Sequence, residues 1–224
     1  MSGGPAHRRR SAPTAPPPRG LPTRRSASAQ RVRIIGGDWK RTPLEVIDAP
    51  GLRPTPDRVR ETLFNWLGQR LDGRSCLDLF AGSGALGLEA ASRGASSVLL
   101  VERFGPACRA IESVCAKLSA RTVRVMHSQA LDALAQCARE GRRFDCVFLD
   151  PPFGEGWFER LWPKLPAVLA AGAQIYAESE SAILETPAGF ALERAAQAGQ
   201  VHYHLFVWIG GGASATGATT REER

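Results

Sequence analysis

Four consecutive residues, Asp150, Pro151, Pro152 and Phe153, have side chains suited to holding an aromatic amine. They follow the apolar run 144–149, which has the length and composition of a buried strand. A carboxylate and a backbone carbonyl here can accept both hydrogens of an exocyclic amine, and the phenyl ring can stack on the flat ring that bears it. The prolines stiffen the loop and remove backbone donors. The tetrapeptide therefore predicts a site for such an amine, although Asp-Pro also begins ordinary turns.

A glycine-rich loop between Asp78 and Gly87 joins an earlier apolar strand to a helix. Gly82, Gly84 and Gly87 match the GxGxxG spacing, which permits a tight turn and a close approach of the backbone to a ligand at a helix N-terminus. The spacing alone fits a dinucleotide site, an S-adenosylmethionine site or a plain turn. Asp78 favours S-adenosylmethionine, because a carboxylate can meet an ammonium group but repels a pyrophosphate.

Polar residues after the next two predicted strands extend this site. Glu102 ends the second strand, about 20 residues after the first glycine, where an acidic side chain binds ribose hydroxyls in either cofactor class. After the third strand, the amide of Gln129 is placed to bond an adenine amine, or else to face water. The predicted cofactor site consists of Asp78, Phe80, Ala81, Gly82, Ser83, Gly84, Glu102, Arg103, Gln129 and Ala130.

Strand and helix patterns alternate from residue 75 onward. Strands are predicted at 75–80, 97–102, 122–127, 144–150 and 173–177, and helices at 85–93, 106–118, 131–140 and, broken by prolines, 157–169. Such alternation implies a parallel sheet with right-handed crossovers. Two final strands, at 190–194 and 201–208 with a turn at 198–200, add an antiparallel strand. The fold class is therefore α/β, with a mostly parallel, seven-stranded sheet.

The chain is expected to divide into four segments. They are a disordered basic tail at 1–30, a hairpin and helix at 31–70, the α/β domain at 71–209 and a flexible tail at 210–224. The hairpin strands are predicted at 31–35 and 44–47, and the helix begins with Thr55 as N-cap and Pro56 as its first residue. Because residues 1–30 contain arginines and no acidic residue, most of the formal charge of +7 lies in this tail. A basic tail suits a polyanionic partner.

The composition argues against several kinds of site and location. The five cysteines form no CxxC pair and no metal-type spacing with the four histidines, so no metal is expected. Their scattered positions favour a reducing compartment, and we expect a cytoplasmic protein. No apolar run reaches the roughly 18 residues that a membrane helix needs, so no membrane partner is expected.

Taken together, these residues resemble the bacterial 16S rRNA guanine-N2 methyltransferases that modify guanine 966 of the small-subunit RNA. The matching segments lie within residues 31–209 and are 33–37, 52–67, 77–87, 92–95 and 150–153. The basic segment 52–67 discriminates best, because many methyltransferases share the other motifs. The resemblance implies a class I, Rossmann-like methyltransferase fold with S-adenosylmethionine as donor. It also implies that residues 150–153 hold the guanine.

The resemblance further implies that the hairpin and helix of residues 31–70 face RNA. The candidate contacts are Arg33, Arg53, Thr55, Arg58 and Arg60, with the arginines of the helix segment expected to meet phosphates. The implied partner is 16S rRNA or the small ribosomal subunit, an assembly intermediate included, and the protein is expected to be a monomer. Two positions depart from the family: Gln129 stands where Asp or Asn is common, and Val114 replaces a common Asn.

Three other functions stay open from the residues. The same machinery serves adenine N6 in nucleic acid and glutamine amides in protein, although the segment 52–67 and the absence of a DNA-target domain argue against both. A nicotinamide-dependent oxidoreductase uses the same GxGxxG, but no convincing catalytic His, Lys or Tyr follows the strand ends. A non-catalytic RNA-binding protein that kept this fold is the third alternative.

Overall fold

The computed structural model describes Met1, residues 32–47 and residues 56–210. The strands are β1 Val32–Arg33, β2 Pro43–Leu44, β3 Ser75–Asp78, β4 Ser97–Glu102, β5 Val123–His127, β6 Phe144–Leu149, β7 Leu169–Ser179, β8 Phe190–Ala198 and β9 Val201–Trp208. The α-helices are α1 Asp57–Trp66, α2 Ala85–Ser92, α3 Gly105–Leu118, α4 Ala130–Arg139 and α5 Trp157–Leu161. The predictions for the two tails, apart from Met1 and Gly210, and for Arg53 and Thr55 lie outside the described residues.

The main sheet has seven strands in the order β5-β4-β3-β6-β7-β9-β8. The first five of these pair in parallel, and β9 pairs antiparallel with both β7 and β8. The predicted α/β class with one antiparallel strand is therefore confirmed. Because β9 runs against its neighbours, it begins at the edge where the parallel strands end. The turn between β8 and β9 consequently lies at that same edge, which matters for the site below.

The core lies on both faces of this sheet, because alternate side chains of each strand point to opposite faces. In β3, the buried Cys76 packs in the cluster that contains the apolar residues of α1, α2 and α3. Its neighbour Leu77 packs in the other cluster, with Leu134 of α4 and Leu161 of α5. Burial on both faces explains why the central strands are near-continuous apolar runs without polar alternation.

The N-terminal hairpin is shorter than predicted, because each of its strands has two residues, with Val32 opposite Leu44. The chain turns early and packs against the end of α2. Gly37 has a φ of 72°, and a Cβ there would overlap the carbonyl of Ser92, while the Asp38 N–H donates to that carbonyl at 2.8 Å. The hairpin is thus fastened to the helix that follows the glycine loop.

Several predicted boundaries differ from the structure. Helix α1 begins at Asp57, so Pro56 is its N-cap and precedes the helix. The helix predicted at 157–169 is divided in the structure into α5 and a 3₁₀ helix at Leu165–Val168. This division agrees with the prediction that prolines break it. Strand β7 starts earlier than predicted. Strand β8 continues to Ala198, because pairing with β9 overrides the weak strand preference of the alanine-rich end of β8. None of the described helices is long and apolar enough to cross a membrane.

Candidate active site

A cavity of about 900 Å³ opens at the carboxyl edge of the sheet. It lies beside the ends of β3, β4 and β6, where the strand order reverses around β3 and where open α/β sheets bind ligands. Nine of the ten predicted cofactor residues line it, and Gly84 is the exception. All four residues of the segment 150–153 line the same cavity. The structure therefore brings the two predicted constellations together around one space.

The three glycines of the loop serve different structural purposes. Gly82 and Gly84 have φ values of 55° and 79°, a backbone region that side chains disfavour, and Gly84 is the N-cap of α2. Gly87 is required for packing, because a Cβ there would overlap the Leu100 side chain. Its N–H donates to Asp78 Oδ2 at 3.0 Å. Gly84 thus shapes the turn without lining the cavity.

Asp78 is a buried carboxylate at the floor of this loop, with 1% of its surface exposed. Its Oδ1 has no hydrogen-bond partner among residues 32–47 and 56–210. Burial is the main reason that the pKa of Asp78 is raised to about 7, and the nearby carboxylates of Asp150 and Glu102 act in the same direction. An unmatched buried oxygen on a residue that lines the cavity suits a cationic donor such as the ammonium of S-adenosylmethionine.

Glu102 connects the glycine loop to the loop after β4. Its Oε2 accepts the Gly82 N–H at 2.8 Å, and its Oε1 accepts the Phe104 N–H at 2.7 Å. Each carboxylate oxygen has a further lone pair, which ribose hydroxyls can use. The nearby segment Ser128–Ala130 lines the cavity beyond it. The donors and acceptors present therefore fit a nucleoside with a cationic amino-acid tail.

The opposite side of the cavity is formed by the segment 150–153 and the start of α5. Pro151 is buried, while Asp150 and Phe153 are half-buried, and all three line the cavity. Trp157 packs edge-on against Phe80, with ring centroids 5.0 Å apart. This aromatic contact joins the cofactor loop to the segment after β6. Phe153 therefore lies on the wall of a partly apolar slot of the kind that a flat base enters.

Sequence reasoning missed one wall of the cavity. It is lined by Glu155, Trp157, Glu180, Gln197, Gly199, Gln200 and His202. The sheet topology brings the later of these residues to the site, since Ser179, His202 and Gln197 lie side by side across β7, β9 and β8. The turn at 198–200 was predicted correctly from sequence. Its position at the site depends on the insertion of β9 between the other two strands, for which no local signal exists.

The predicted RNA-contacting arginines have different environments. Arg58 is exposed and borders a polar depression of about 310 Å³ that reaches Gln197. Arg33 is also exposed and lies 3.3 Å from the Asp57 carboxylate. Arg60, in contrast, is fully buried, and its Nη2 donates to the Arg33 carbonyl at 2.9 Å and to Asp57 at 2.6 Å. The prediction that Arg60 contacts phosphate is therefore wrong for this structure.

The burial of Arg60 has a structural explanation in Glu89 of α2. Glu89 is also fully buried, and its Oε2 lies 3.8 Å from Arg60 Nη1 and accepts the Ile35 N–H at 2.7 Å. Its Oε1 accepts from Arg93 Nε at 2.7 Å. This group of residues, which we call the Glu89 cluster, joins the hairpin and α1 to α2. A single sequence does not show that Arg60 and Glu89, which are far apart in the chain, become buried together.

Comparison with known proteins agrees with this geometry. A protein-family model described as "Conserved hypothetical protein 95" matches residues 32–207. The Escherichia coli K12 protein named ribosomal RNA small subunit methyltransferase D is 46% identical over 185 residues, covering 81% of this chain and 91% of that protein. A solved structure of an Escherichia coli candidate methyltransferase has a TM-score of 0.72 at 43% identity and covers 80% of this chain and 98% of its own.

A more distant structure supports the fold alone. It is a candidate S-adenosylmethionine-dependent methyltransferase from Streptococcus mutans, with a TM-score of 0.59 at 16% identity, covering 74% of this chain and 52% of its own. The class I methyltransferase fold expected from the resemblance is thereby confirmed. On the family model and the identity to its curated relatives, this chain belongs to the ribosomal RNA small subunit methyltransferase D family.

Proposed function

We propose that this protein transfers a methyl group from S-adenosylmethionine to the exocyclic N2 amine of a guanine in 16S rRNA, guanine 966 by resemblance. The observation that supports this most directly is the shared cavity. It is lined by the Asp78–Glu102 side, which fits the donor, and by the segment 150–153, which fits an aromatic amine. Family membership adds the ribosomal RNA of the small subunit as the substrate class.

The cofactor side of the cavity is proposed to bind and orient S-adenosylmethionine. S-adenosylmethionine supplies an electrophilic methyl group on a sulfonium sulfur. The unmatched Oδ1 of Asp78 would accept from the ammonium of the methionine part, and the carboxylate of Glu102 would accept from ribose hydroxyls. Gln129 and Ala130 would border the adenine ring. The described residues contain no cluster of three or more metal-binding side chains, and the proposed transfer uses no metal.

The target side makes a weak nucleophile reactive. The lone pair of the guanine amine is delocalised into the ring, and the two acceptors Asp150 and the Pro151 carbonyl would bind its hydrogens and favour a more pyramidal nitrogen. Such positioning lowers a barrier by roughly 7–11 kcal/mol at best. Stacking on Phe153 adds about 1–3 kcal/mol of binding. Asp150 then takes the proton that the methylated nitrogen loses, or passes it to water.

The RNA is proposed to approach over the hairpin and α1. Exposed Arg33 and Arg58 are the described candidates for phosphate contacts, and the roles proposed for Arg53 and Thr55 concern residues outside the described part. The target base has to leave its stack to enter the slot, as for other enzymes that modify a base edge. A cytoplasmic monomer acting on 16S rRNA or on the small subunit, an assembly intermediate included, is part of the same proposal.

The test is transfer of tritium from labelled S-adenosylmethionine to small ribosomal subunits that lack the modification, followed by mapping of the labelled nucleotide. We expect label on the N2 of one guanine of 16S rRNA. Label on adenine N6 or on protein would support an alternative acceptor. A thermal-shift comparison tests the cofactor separately: stabilisation by NAD(H) and none by S-adenosylhomocysteine would overturn the choice of donor.

A further inference from the structure

Glu180 is an acidic side chain on the target side of the cavity that the proposed chemistry leaves unused. It directly follows β7 and lines the cavity together with the segment 150–153. A Cβ built on Gly154 would lie 3.9 Å from Glu180 Oε1, which places this carboxylate beside the loop that holds the target base. Glu180 is exposed, and no hydrogen bond or ion pair within the described ranges engages its carboxylate.

Two acids that neighbour Glu180 already accept hydrogen bonds. Glu155 Oε2 accepts the Trp157 indole N–H at 3.0 Å and so orients that ring. Glu178 is buried, and its Oε1 accepts the Tyr176 hydroxyl at 2.9 Å. Glu180 differs from both: Glu178 does not line the cavity and Glu155 already binds the Trp157 indole, whereas the Glu180 carboxylate lines the cavity and is available to a ligand.

Guanine carries a row of polar groups that matches this wall. Along one edge it presents the N2 amine, the N1–H donor and the O6 acceptor. In the proposed reaction Asp150 accepts from the N2 amine, so the adjacent N1–H needs a second acceptor. His202, which faces Ser179 across β7 and β9 and lines the same cavity, has a ring N–H that can donate to O6. An acidic group followed by a donor is the complement of N1–H followed by O6.

We propose that Glu180 accepts the N1–H of the target guanine and so determines the specificity for this base. The assignment rests on the proposed function and extends it. A base with a lone pair at N1, such as adenine or 2-aminopurine, places that lone pair against the carboxylate. A site built to bond an N–H discriminates strongly against an analogue that lacks it, because its own polar group is left unpaired.

The experiment compares guanine with 2-aminopurine at the target position. 2-Aminopurine keeps the reacting amine but has a lone pair at N1 and a hydrogen in place of O6. Small-subunit particles are assembled on ligated 16S rRNA carrying either base, and kcat/KM for tritium transfer is measured with the wild-type protein and with Glu180→Gln. We expect the wild type to prefer guanine, and the preference to fall about 10- to 100-fold in the variant, because the amide can donate to N1.

Two matched variants separate this contact from a general loss of charge. Glu185→Gln removes an exposed carboxylate outside the cavity, and Glu155→Gln removes one within it. Both should keep the wild-type preference. The assignment is overturned if Glu180→Gln keeps that preference, if it slows both bases equally, or if Glu155→Gln lowers the preference as much. Absence of transfer to guanine by the wild-type protein would instead refute the proposed function.

Discussion

The two sides of the cavity are built in different ways. On the cofactor side, buried carboxylates hold the backbone of the loops: Asp78 accepts from Gly87, and Glu102 accepts from Gly82 and Phe104. On the target side, Asp150, Phe153, Glu180 and the β8–β9 turn contribute half-buried and exposed groups from distant parts of the chain. The first side is preorganised for a small ligand of fixed shape, whereas the second remains open to a macromolecule.

The two sides nevertheless share one support. Helix α2 begins at the glycine loop, and its Glu89 is the centre of the cluster that fastens the hairpin and α1. The residues proposed to meet RNA therefore rest on the helix that shapes the cofactor site. Substitutions on the target side, on the cofactor side and in the Glu89 cluster should therefore have separable effects.

The largest effect is expected on the target side, from Asp150→Ala. Loss of the acceptor for the amine and its proton should lower kcat by about 10²- to 10⁴-fold. Affinity for S-adenosylhomocysteine should stay within a few-fold, because Glu102 and the loop backbone are untouched. Turnover and calorimetric binding measure the two separately. The control Asp132→Ala, at an exposed position of α4 outside the cavity, should leave turnover unchanged, and undiminished turnover in Asp150→Ala would remove Asp150 from the mechanism.

The second largest effect is expected from Arg60→Met, which alters the Glu89 cluster that both sides of the cavity share. This change removes a buried guanidinium and leaves Glu89 with Ile35 and Arg93 as partners, so the free energy of unfolding should fall by about 3 kcal/mol. Arg58→Met is the matched control two residues away on the same helix, and it should change stability by less than about 0.5 kcal/mol. Urea denaturation measures both values.

The affinity for RNA should be affected more by Arg58→Met than by Arg60→Met, the reverse of their order for stability. Arg58→Met should reduce the slope of log affinity against log salt by about one contact, because an exposed guanidinium that meets phosphate releases counterions. If Arg60→Met unfolded like the wild type and reduced the salt slope instead, the buried position of Arg60 would be refuted. The pair therefore distinguishes a supporting arginine from a binding one.

The same contrast explains which parts of the site the sequence could predict. The glycine loop and the segment 150–153 are local, because their residues are neighbours in the chain and their spacing carries the chemistry. Glu180 reaches the cavity because β7 pairs in parallel with β6, and His202 reaches it through the insertion of β9; both placements are properties of the whole sheet. Arg60 was predicted as a surface residue because its partner Glu89 is distant in sequence, and nothing in a single sequence shows that two such charges become buried together.

A smaller effect is expected on the cofactor side, from Glu102→Ala. The N–H groups of Gly82 and Phe104 would lose a charged acceptor, and the ribose would lose its proposed partner. We expect about 10- to 100-fold weaker binding of S-adenosylhomocysteine, corresponding to roughly one charged hydrogen bond, with RNA affinity unchanged. The control Glu112→Ala removes an exposed carboxylate of α3. Equal loss of RNA affinity would show that the two sides are coupled more tightly than the comparison implies.

The smallest predicted effect is the pH dependence of cofactor binding. With a pKa of about 7, Asp78 is mostly protonated at pH 6 in the free protein, whereas an ammonium group at Oδ1 favours the ionised form. Binding then releases a proton, and affinity for S-adenosylhomocysteine should rise about tenfold from pH 6 to pH 8. Titrations in two buffers of different ionisation enthalpy measure the released proton. Asp78→Asn should bind more weakly and lose this dependence.

The stability of the protein without ligand should fall as the pH rises, whereas cofactor affinity rises, and this change occurs over a lower pH range. Between about pH 4 and pH 7 the native protein holds a proton on Asp78 that the unfolded chain has lost, so stability falls as the pH rises through this window and levels off above it. Asp78→Asn should remove this contribution. A proton released on binding by the wild type but not by Asp78→Asn would identify Asp78 as the group that meets the ligand, whereas equal release by both would refute that assignment.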